Sequence, residues 1–264
     1  MSAEGPIAVF DSGVGGLTVL HECLVSLPSE SFLYLGDTGH FPYGTKSPEE
    51  LRERAEAITA YLIDSGTKLL VVACNSATAA AGPLIHEMGE AAGIPVVTVI
   101  GPEAEIAAAI SENGRVGVLA TPATVASGAY RDALDAAGRP LTVTEVSAPD
   151  LASLIQVDLS FDDELIDAVR GHCAPLKEAG VDTLILGCTH YPLMEKVFAD
   201  ALGQGVKVYS QANLVAESLA DYLTRRPEFL GSGTQSKFLT TGDPASVSNK
   251  ATQFLRRKIT FEAV

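Results

Sequence analysis

The sequence predicts an α/β protein built on mostly parallel sheets, and three observations support this prediction. Short apolar runs alternate with helical patterns along all 264 residues, an order typical of parallel sheets covered by helices. Two of these runs, residues 69–73 and 184–187, contain no polar side chain, as expected of buried parallel strands. Each run leads into a cysteine, Cys74 or Cys188, after which a helix is predicted to begin.

The first part of the chain contains four predicted strands. Residues 7–10 form an apolar strand that ends at Asp11 and a glycine-rich turn, before a helix to about residue 27. After a strand over 32–36, Ser47 and Pro48 provide an N-cap and a first-turn proline for a helix that ends near Gly66. The strands 69–73 and 96–99 then enclose a helix over residues 76–92.

The rest of the chain continues the alternation. Predicted strands cover residues 115–120, 141–146, 184–187, 206–209 and 237–241. Predicted helices begin at residue 101 and after Thr121, cover 148–156 and 161–179, begin again at 191, and cover 211–225 and 245–257. About nine strands in one sheet is possible, but two smaller sheets fit the length better. We therefore predict two domains, residues 1–99 with 211–264 and residues 100–210.

The composition excludes several classes of function. A net charge of −15, with only 18 lysines and arginines, argues against nucleic acid as a partner, because phosphate binding needs clustered cations. No apolar run reaches 18 residues, so no membrane span is expected. The N-terminus lacks the basic and apolar regions of a secretory signal, and we expect a cytoplasmic protein.

The cysteines and lysines bear on cofactors and disulfides. The four cysteines form no C-x-x-C pair, and in a reducing compartment a structural disulfide is not expected. Cys23 and Cys173 lie in helical patterns and are predicted to be inert. The histidines do not cluster with cysteines except at Cys188 and His190, so a zinc site is not supported. No lysine has a pyridoxal-phosphate context, and we expect neither metal nor cofactor.

Two thiols at matching strand ends suggest a symmetric reaction. A thiol at a helix N-terminus can have its pKa lowered below about 8.5, which favours a nucleophilic or basic thiolate. One thiolate could take a proton from a carbon atom while the other thiol returns a proton to the opposite face. Asp11 and His190 are the polar residues best placed to tune the two thiols, one in each half of the chain.

Structural interpretations of the same residues stay open. A cysteine at a strand end is often only a small buried side chain, His190 could be structural, Asp11 could cap the turn at Gly13, and Tyr43 could pack a loop. The turn at residues 13–16 does not have the spacing of a dinucleotide fingerprint, and an aspartate stands where a pyrophosphate would approach.

Four motifs resemble the glutamate racemase family, in the family's order. They are Asp11-Ser-Gly-Val-Gly-Gly-Leu-Thr18, Asp37-Thr38 with Pro42-Tyr-Gly44, Ala73-Cys-Asn-Ser-Ala77 and Gly187-Cys-Thr-His-Tyr-Pro192. The resemblance runs from residue 7 to about residue 222. It implies a cofactor-independent, two-cysteine racemase that supplies D-glutamate for peptidoglycan. It also implies two flavodoxin-like domains with the active site in the cleft between them, commonly assembled as homodimers.

The resemblance also assigns roles to residues. Cys74 would take the proton from D-glutamate with the help of Asp11, and Cys188 would take it from L-glutamate with the help of His190. The residues implied in substrate binding are Asp11, Ser12, Tyr43, Gly44, Asn75, Ser76, Thr121, Thr189 and His190. Three positions depart from many members: Ser76 replaces Thr, Gln156 replaces Glu, and residues 210–213 replace a commoner Asp-Ser pair.

Three other functions stay open at this point. An aspartate or hydantoin racemase would share the paired thiols, although the Pro42-Tyr-Gly44 loop favours glutamate. A Cys–His hydrolase would need only Cys188 and His190 and would leave Cys74 unexplained. A non-catalytic binding protein of the same fold would tolerate loss of either thiol.

Overall fold

Ten strands carry the fold in the computed structural model, which describes residues 5–157, 161–233 and 235–264. In chain order the strands are β1 (Ile7–Asp11), β2 (Phe32–Gly36), β3 (Leu69–Val72), β4 (Val96–Thr98), β5 (Arg115–Ala120), β6 (Thr142–Ser147), β7 (Thr183–Gly187), β8 (Lys207–Tyr209), β9 (Lys237–Thr240) and β10 (Glu262–Ala263).

The strands form two sheets. The first has the order β10-β9-β2-β1-β3-β4 and the second β6-β5-β7-β8. Every strand pair among the described residues is parallel, which confirms the predicted α/β class with parallel sheets. The chain leaves the first sheet after Thr98 and returns to it at Lys237. The predicted domain boundaries fall in these two connections, and the domain division itself stays a prediction.

Eleven helices connect the strands in the described part of the chain. They are α1 (Leu17–Ser26), α2 (Pro48–Asp64), α3 (Asn75–Ala92), α4 (Ile100–Ile110), α5 (Pro122–Ser127), α6 (Ala129–Ala136), α7 (Leu151–Val157), α8 (Asp163–Glu178), α9 (Glu195–Leu202), α10 (Gln211–Arg225) and α11 (Pro244–Leu255).

Alternate side chains along the strands pack into different hydrophobic cores. On β1, Ile7 and Val9 pack on the side of α1 and α10, whereas Ala8 and Phe10 pack on the side of α2 and α3. The first of these cores continues into the second sheet, where it includes Ile185 of β7 and residues of α4 and α6. The two sheets therefore share one continuous apolar core, which fixes how their strand ends face each other.

Several element boundaries differ from the sequence predictions. The residues after Cys188 form a 3₁₀ turn, Tyr191–Met194, before α9, although a single helix from residue 191 was expected. The helix predicted from residue 161 begins at Asp163, because the Asp162 side chain accepts a hydrogen bond from the Leu165 amide at 2.9 Å and caps it. β10 was not expected, and it pairs only with β9.

The predicted helix start at Ser47 is confirmed. The Ser47 hydroxyl accepts a hydrogen bond from the Glu50 amide at 3.2 Å, and the Glu50 carboxylate accepts one from the Ser47 amide at 3.0 Å. Pro48 occupies the first helical position. This capping box satisfies two backbone donors at the start of α2, the helix that packs against α3.

The capping box leads to a stability prediction. We expect Ser47→Ala to lower the free energy of unfolding by about 1 kcal/mol, because the Glu50 amide loses its acceptor. Urea unfolding should show a lower midpoint with an unchanged slope. Ser47→Thr keeps a hydroxyl at the same position and serves as the control. Equal midpoints for the alanine and threonine variants would contradict this account of the cap.

Candidate active site

The carboxyl ends of the strands in the two sheets enclose a cavity. Its volume is about 20 Å³, so the walls lie close together. Its walls come from the segments that follow β1, β2 and β3 of the first sheet and β5, β6 and β7 of the second. The lining residues are Ser12, Phe41, Pro42, Tyr43, Gly44, Thr45, Cys74, Asn75, Ser76, Thr121, Pro122, Pro149, Ala152, Cys188, Thr189 and His190.

The structure brings nearly all of the predicted site residues into this cavity. Both cysteines line it, as do the predicted substrate-binding residues apart from Asp11. Asp11 is completely buried at the end of β1 and does not line the cavity. Lining residues that were not predicted include Phe41, Pro149 and Ala152, and their apolar side chains gave no sequence signal.

Cys74 caps helix α3. Its Sγ accepts a hydrogen bond from the Ala77 amide at 3.5 Å, and Ser12 also hydrogen-bonds to this sulfur. Burial nevertheless raises the pKa of the Cys74 thiol to about 12, and the negative charge of Asp11 adds to this effect. The thiol pKa is therefore not lowered as predicted from the helix N-terminus, because removal from water outweighs the helix dipole.

Cys188 follows β7 and faces His190. Its Sγ lies 3.9 Å from His190 Nδ1. Burial raises the pKa of the Cys188 thiol well above its ordinary value, although the backbone amides of His190 and Tyr191 act to lower it. Asp11 and Cys74 each raise this pKa further. Burial therefore favours the neutral thiol at both cavity cysteines.

His190 is held by Gln156. Its Nε2 lies 2.7 Å from Gln156 Oε1, which also accepts from the Val14 amide at 3.5 Å. An amide oxygen only accepts, so Nε2 carries the proton and Nδ1, the nitrogen facing Cys188, is bare. Burial lowers the pKa of His190 to about 4, which keeps the ring neutral at physiological pH. The Phe41 ring, 5.4 Å away between centroids, covers the imidazole.

Asp11 connects the two sheets. Its Oδ2 accepts hydrogen bonds from the amides of Gly13 at 3.1 Å and Gly16 at 2.9 Å, and its Oδ1 accepts one from Thr189 Oγ1 at 3.2 Å. A Cβ atom on Gly16 would lie 2.5 Å from Asp11 Cβ, so only glycine fits this close approach. The aspartate thus caps the turn after β1 and also holds the residue that follows Cys188.

A buried aspartate positions the loop that contains Tyr43. Asp37 accepts hydrogen bonds from the Tyr43 hydroxyl at 2.5 Å, from Arg54 at 2.9 and 3.0 Å, and from Thr241 at 2.6 Å. Burial acts to raise the pKa of Asp37, but these hydrogen bonds and one from His40 hold it below its ordinary value. The sequence did not indicate Arg54, since nothing local links a residue of α2 to Tyr43.

The start of α3 meets the end of β5 across the cavity. Ser76 Oγ lies 2.8 Å from Thr121 Oγ1, which in turn caps α5. Gly44 allows this meeting, because a Cβ atom on it would lie 2.6 Å from Thr121 Cβ. Three predicted substrate-binding residues from separate elements therefore converge on one wall.

The described ranges contain neither a cluster of metal ligands nor a membrane-spanning helix. Within residues 5–157, 161–233 and 235–264, no group of three or more histidine, cysteine, aspartate or glutamate side chains is placed to hold a metal ion. In the same ranges, every helix is too short or too polar to cross a bilayer.

Comparison with known proteins gives a consistent result. The sequence model of the Asp/Glu/Hydantoin racemase family matches residues 19–219. A glutamate racemase from Cereibacter sphaeroides is 48% identical over 270 residues, covering 97% of this chain and 99% of the relative. The matched length spans both sheets.

Solved structures agree with the sequence matches. Glutamate racemase isoform RacE1 from Bacillus anthracis superimposes with a TM-score of 0.92 at 37% identity, covering 98% of this chain and 97% of the other. Glutamate racemase from Francisella tularensis, solved in complex with D-glutamate, gives a TM-score of 0.91 at 28% identity, covering 99% and 98% of the two chains.

The contact between Gln156 and His190 leads to a prediction. In Gln156→Glu a carboxylate would lie against Nε2 and stabilise the imidazolium, raising the pKa of His190 from about 4 to between about 5 and 7. A ¹⁵N NMR titration of histidine-labelled protein measures this change. Gln156→Met, similar in length but uncharged, is the control and should not raise the pKa. Identical titrations in all three proteins would contradict the assigned contact.

Proposed function

The chain belongs to the Asp/Glu/Hydantoin racemase family as one of its glutamate racemases, and we propose that it interconverts L- and D-glutamate with Cys74 and Cys188 as its two bases. The observation that carries this proposal is the placement of the two thiols. Cys74 stands on the wall built by the first sheet and Cys188 on the wall built by the second, and both line one cavity. A substrate carbon between them would be reached from opposite faces.

The proposed reaction moves one proton off the α-carbon and another onto it. From L-glutamate, the Cys188 thiolate takes the Cα proton, and the electron pair of the broken C–H bond remains on the substrate. The Cys74 thiol then gives its proton to the opposite face, which forms D-glutamate and leaves a thiolate on Cys74. The reverse reaction starts from this thiolate, so the mechanism balances without an added oxidant, reductant or cofactor.

The environment of each thiol supports the roles proposed for Cys188 and Cys74. The bare Nδ1 of His190 faces Cys188 Sγ at 3.9 Å, and we assign to His190 the support of Cys188 as this cysteine exchanges protons with the substrate. A thiol whose pKa is raised by burial also becomes a strong base once it is deprotonated, as the weakly acidic Cα–H bond requires. We assign to Asp11 the corresponding support of Cys74, whose basicity its negative charge increases.

The polar groups of the cavity suit an amino acid with two carboxylates. The backbone amides at the start of α3 lie on one wall, with the hydroxyls of Ser76 and Thr121, and the Ser12 and Thr189 hydroxyls also line the cavity. Helix N-termini and hydroxyls bind carboxylates well, and the same donors can stabilise the carbanion as charge develops. We propose that Tyr43, Gly44, Asn75 and His190 complete this binding site.

A Cys–His hydrolase is the alternative that uses the fewest residues. It would explain Cys188 with His190, but it would leave Cys74 without a role in the same cavity. Aspartate racemisation would need the anion donors one methylene closer to the thiols. The glutamate racemase names of the relatives at 48% and 37% identity favour glutamate as the substrate.

The biological setting is also a proposal. We propose that the enzyme works in the cytoplasm without a cofactor, supplies D-glutamate for peptidoglycan synthesis, and assembles as a homodimer. Its net charge of −15 supports a small-molecule substrate over a nucleic acid, because it leaves few cations for phosphates.

The two-base mechanism predicts the behaviour of single cysteine variants. Cys74→Ala and Cys188→Ala should each lower racemisation by at least about 1,000-fold, because either direction needs both a base and an acid. Turnover is measured from both enantiomers by optical rotation or chiral chromatography. Cys173→Ala, which removes a buried thiol outside the cavity, is the control and should remain active. Substantial activity in either cavity variant would rule out the mechanism.

Isotope incorporation tests the mechanism and the substrate together. L-glutamate incubated with the enzyme in heavy water should yield D-glutamate with deuterium at Cα, while the remaining L-glutamate stays unlabelled at early times. Each thiol handles one face, so only the product receives a solvent proton. L-aspartate should be inverted much more slowly, because its missing methylene misplaces Cα between the thiols.

Two results of the same experiment would count against the proposal. Equal early labelling of both glutamate enantiomers would indicate a single base. Faster inversion of aspartate would show that the substrate is wrong while leaving the two-base chemistry in place.

A further inference from the structure

Four polar side chains are buried together next to the cavity. They are Glu103 of α4, Tyr130 of α6, Asn75 at the start of α3, and Gln211 at the start of α10, and none is more than 2% exposed. Asn75 lines the cavity and the other three lie behind it. No local sequence pattern connects them, because they come from four separate helices.

Their contacts form one continuous network. The Asn75 amide lies 2.7 Å from the Tyr130 hydroxyl, 3.3 Å from Glu103 Oε2 and 3.1 Å from the Gln211 amide. Tyr130 and Glu103 Oε2 are hydrogen-bonded to each other. Gln211 also lies 3.2 Å from the Leu186 carbonyl oxygen, 3.1 Å from Glu103 Oε1 and 3.2 Å from the Thr189 backbone nitrogen.

The backbone groups fix the orientation of the Gln211 amide. The Leu186 carbonyl can only accept and the Thr189 N–H can only donate, so the Gln211 nitrogen faces Leu186 and Glu103 while its oxygen faces Thr189. In the opposite orientation Gln211 donates to Asn75 Oδ1. Its oxygen then faces two acceptors and its nitrogen faces a donor, which is unfavourable at a buried site.

This orientation determines the remaining protons. The Gln211 oxygen is 3.1 Å from the Asn75 amide, which must therefore turn its nitrogen to Gln211 and its oxygen to Tyr130. The single hydroxyl proton of Tyr130 then goes to Asn75, and the Tyr130 oxygen is left to accept from Glu103. The Asn75 oxygen, the Tyr130 oxygen and Glu103 Oε2 then lie in mutual contact, and the single Tyr130 proton serves only the contact with Asn75. A proton on Glu103 Oε2 supplies the missing donor toward Tyr130, with Asn75 3.3 Å away.

We propose that Glu103 is a positioning residue, protonated in the active enzyme, whose proton closes a hydrogen-bond chain through Tyr130, Asn75 and Gln211 to the strand end that carries Cys188. The catalytic consequence of this inference rests on the proposed racemase function. Asn75 directly follows Cys74, and Thr189 directly follows Cys188. The hydrogen-bond chain therefore joins Asn75 and Thr189, which neighbour the two thiols.

The electrostatic surroundings agree with a neutral Glu103. Burial raises the pKa of Glu103 to about 8. The titratable group that faces it from α6 is Tyr130, and Cys188 at the end of β7 acts on Tyr130 in turn. Asn75 of α3 and Gln211 of α10 are uncharged. Above about pH 8 Glu103 would ionise and could no longer donate a hydrogen bond to Tyr130. The hydrogen-bond chain that positions the neighbours of both thiols would then be broken.

Three variants test the catalytic part of the proposal. Glu103→Gln keeps a donor for Tyr130 and an acceptor for Gln211 but cannot ionise. Glu103→Leu removes both groups, and Tyr130→Phe removes the relay hydroxyl. We expect kcat of the wild type to fall above about pH 8, Glu103→Gln to stay active to higher pH, and the other two variants to lose at least about tenfold at every pH. If kcat of Glu103→Gln fell above about pH 8 as it does in the wild type, the proposal would be overturned.

Two measurements test the protonation without reference to turnover. The infrared difference spectrum of wild type minus Glu103→Gln should show the carbonyl band of a protonated carboxyl at pH 6.5, and this band should vanish above pH 8. Because the folded pKa of Glu103, about 8, exceeds its ordinary value, wild-type stability should fall relative to Glu103→Gln as pH rises from about 4.5 to 8. The Tm difference between the two proteins should widen over that range.

The outcomes separate this inference from the proposed function. A carboxylate band at pH 6.5, or a Tm difference that does not depend on pH, would overturn the protonated chain even if the enzyme racemises glutamate. A protonated carboxyl band in a protein that racemises neither enantiomer would instead overturn the proposed function and support the protonated chain.

Discussion

The buried carboxylate of Asp11 accepts hydrogen bonds from both sides of the cavity, and the geometry of the site depends on it. Two amides of the turn after β1 point at one of its oxygens, and the Thr189 hydroxyl of the second sheet points at the other. Hydrogen bonds to a charged acceptor are about twice as strong as neutral ones, and a buried charge that loses them is costly. The two sheets are thus held together by a polar contact as well as by the shared apolar core, and that contact lies one residue away from Cys188.

Exclusion of water determines the charge state of the whole site. Burial raises the pKa of both thiols and of Glu103 and lowers the pKa of His190, and so favours the neutral form of each of these groups. Each neutral group is then defined by the direction of its hydrogen bonds. Gln156 presents a bare nitrogen of His190 to Cys188, and Gln211 sets the direction of the chain behind the cavity. The side-chain amides of Gln156 and Gln211 set the direction of these hydrogen bonds without adding a charge.

The sequence predicted the parts of this arrangement that are encoded locally. Apolar runs located the strands, Ser47 located a helix start, and the matching positions of Cys74 and Cys188 at strand ends suggested that the two thiols act together. The thiol pKa was misjudged, because the helix dipole can be inferred from a short segment whereas burial depends on the whole fold. The contacts of Arg54 with Asp37, and of Glu103 with Tyr130, were missed since each joins residues of different elements. The 3₁₀ turn after Cys188 was missed because Pro192 is equally compatible with the first turn of an α-helix.

The return of the chain to the first sheet sets an order for biosynthesis. The four strands of the second sheet lie within residues 115–209 and can pair as soon as that stretch has left the ribosome. The first sheet can be completed only later, because β9, which pairs with β2, is made with residues 237–240. Thr241, which follows β9, also supplies a hydrogen bond to Asp37. The loop that presents Tyr43 is therefore among the last parts of the site to be secured, although its own residues are translated early.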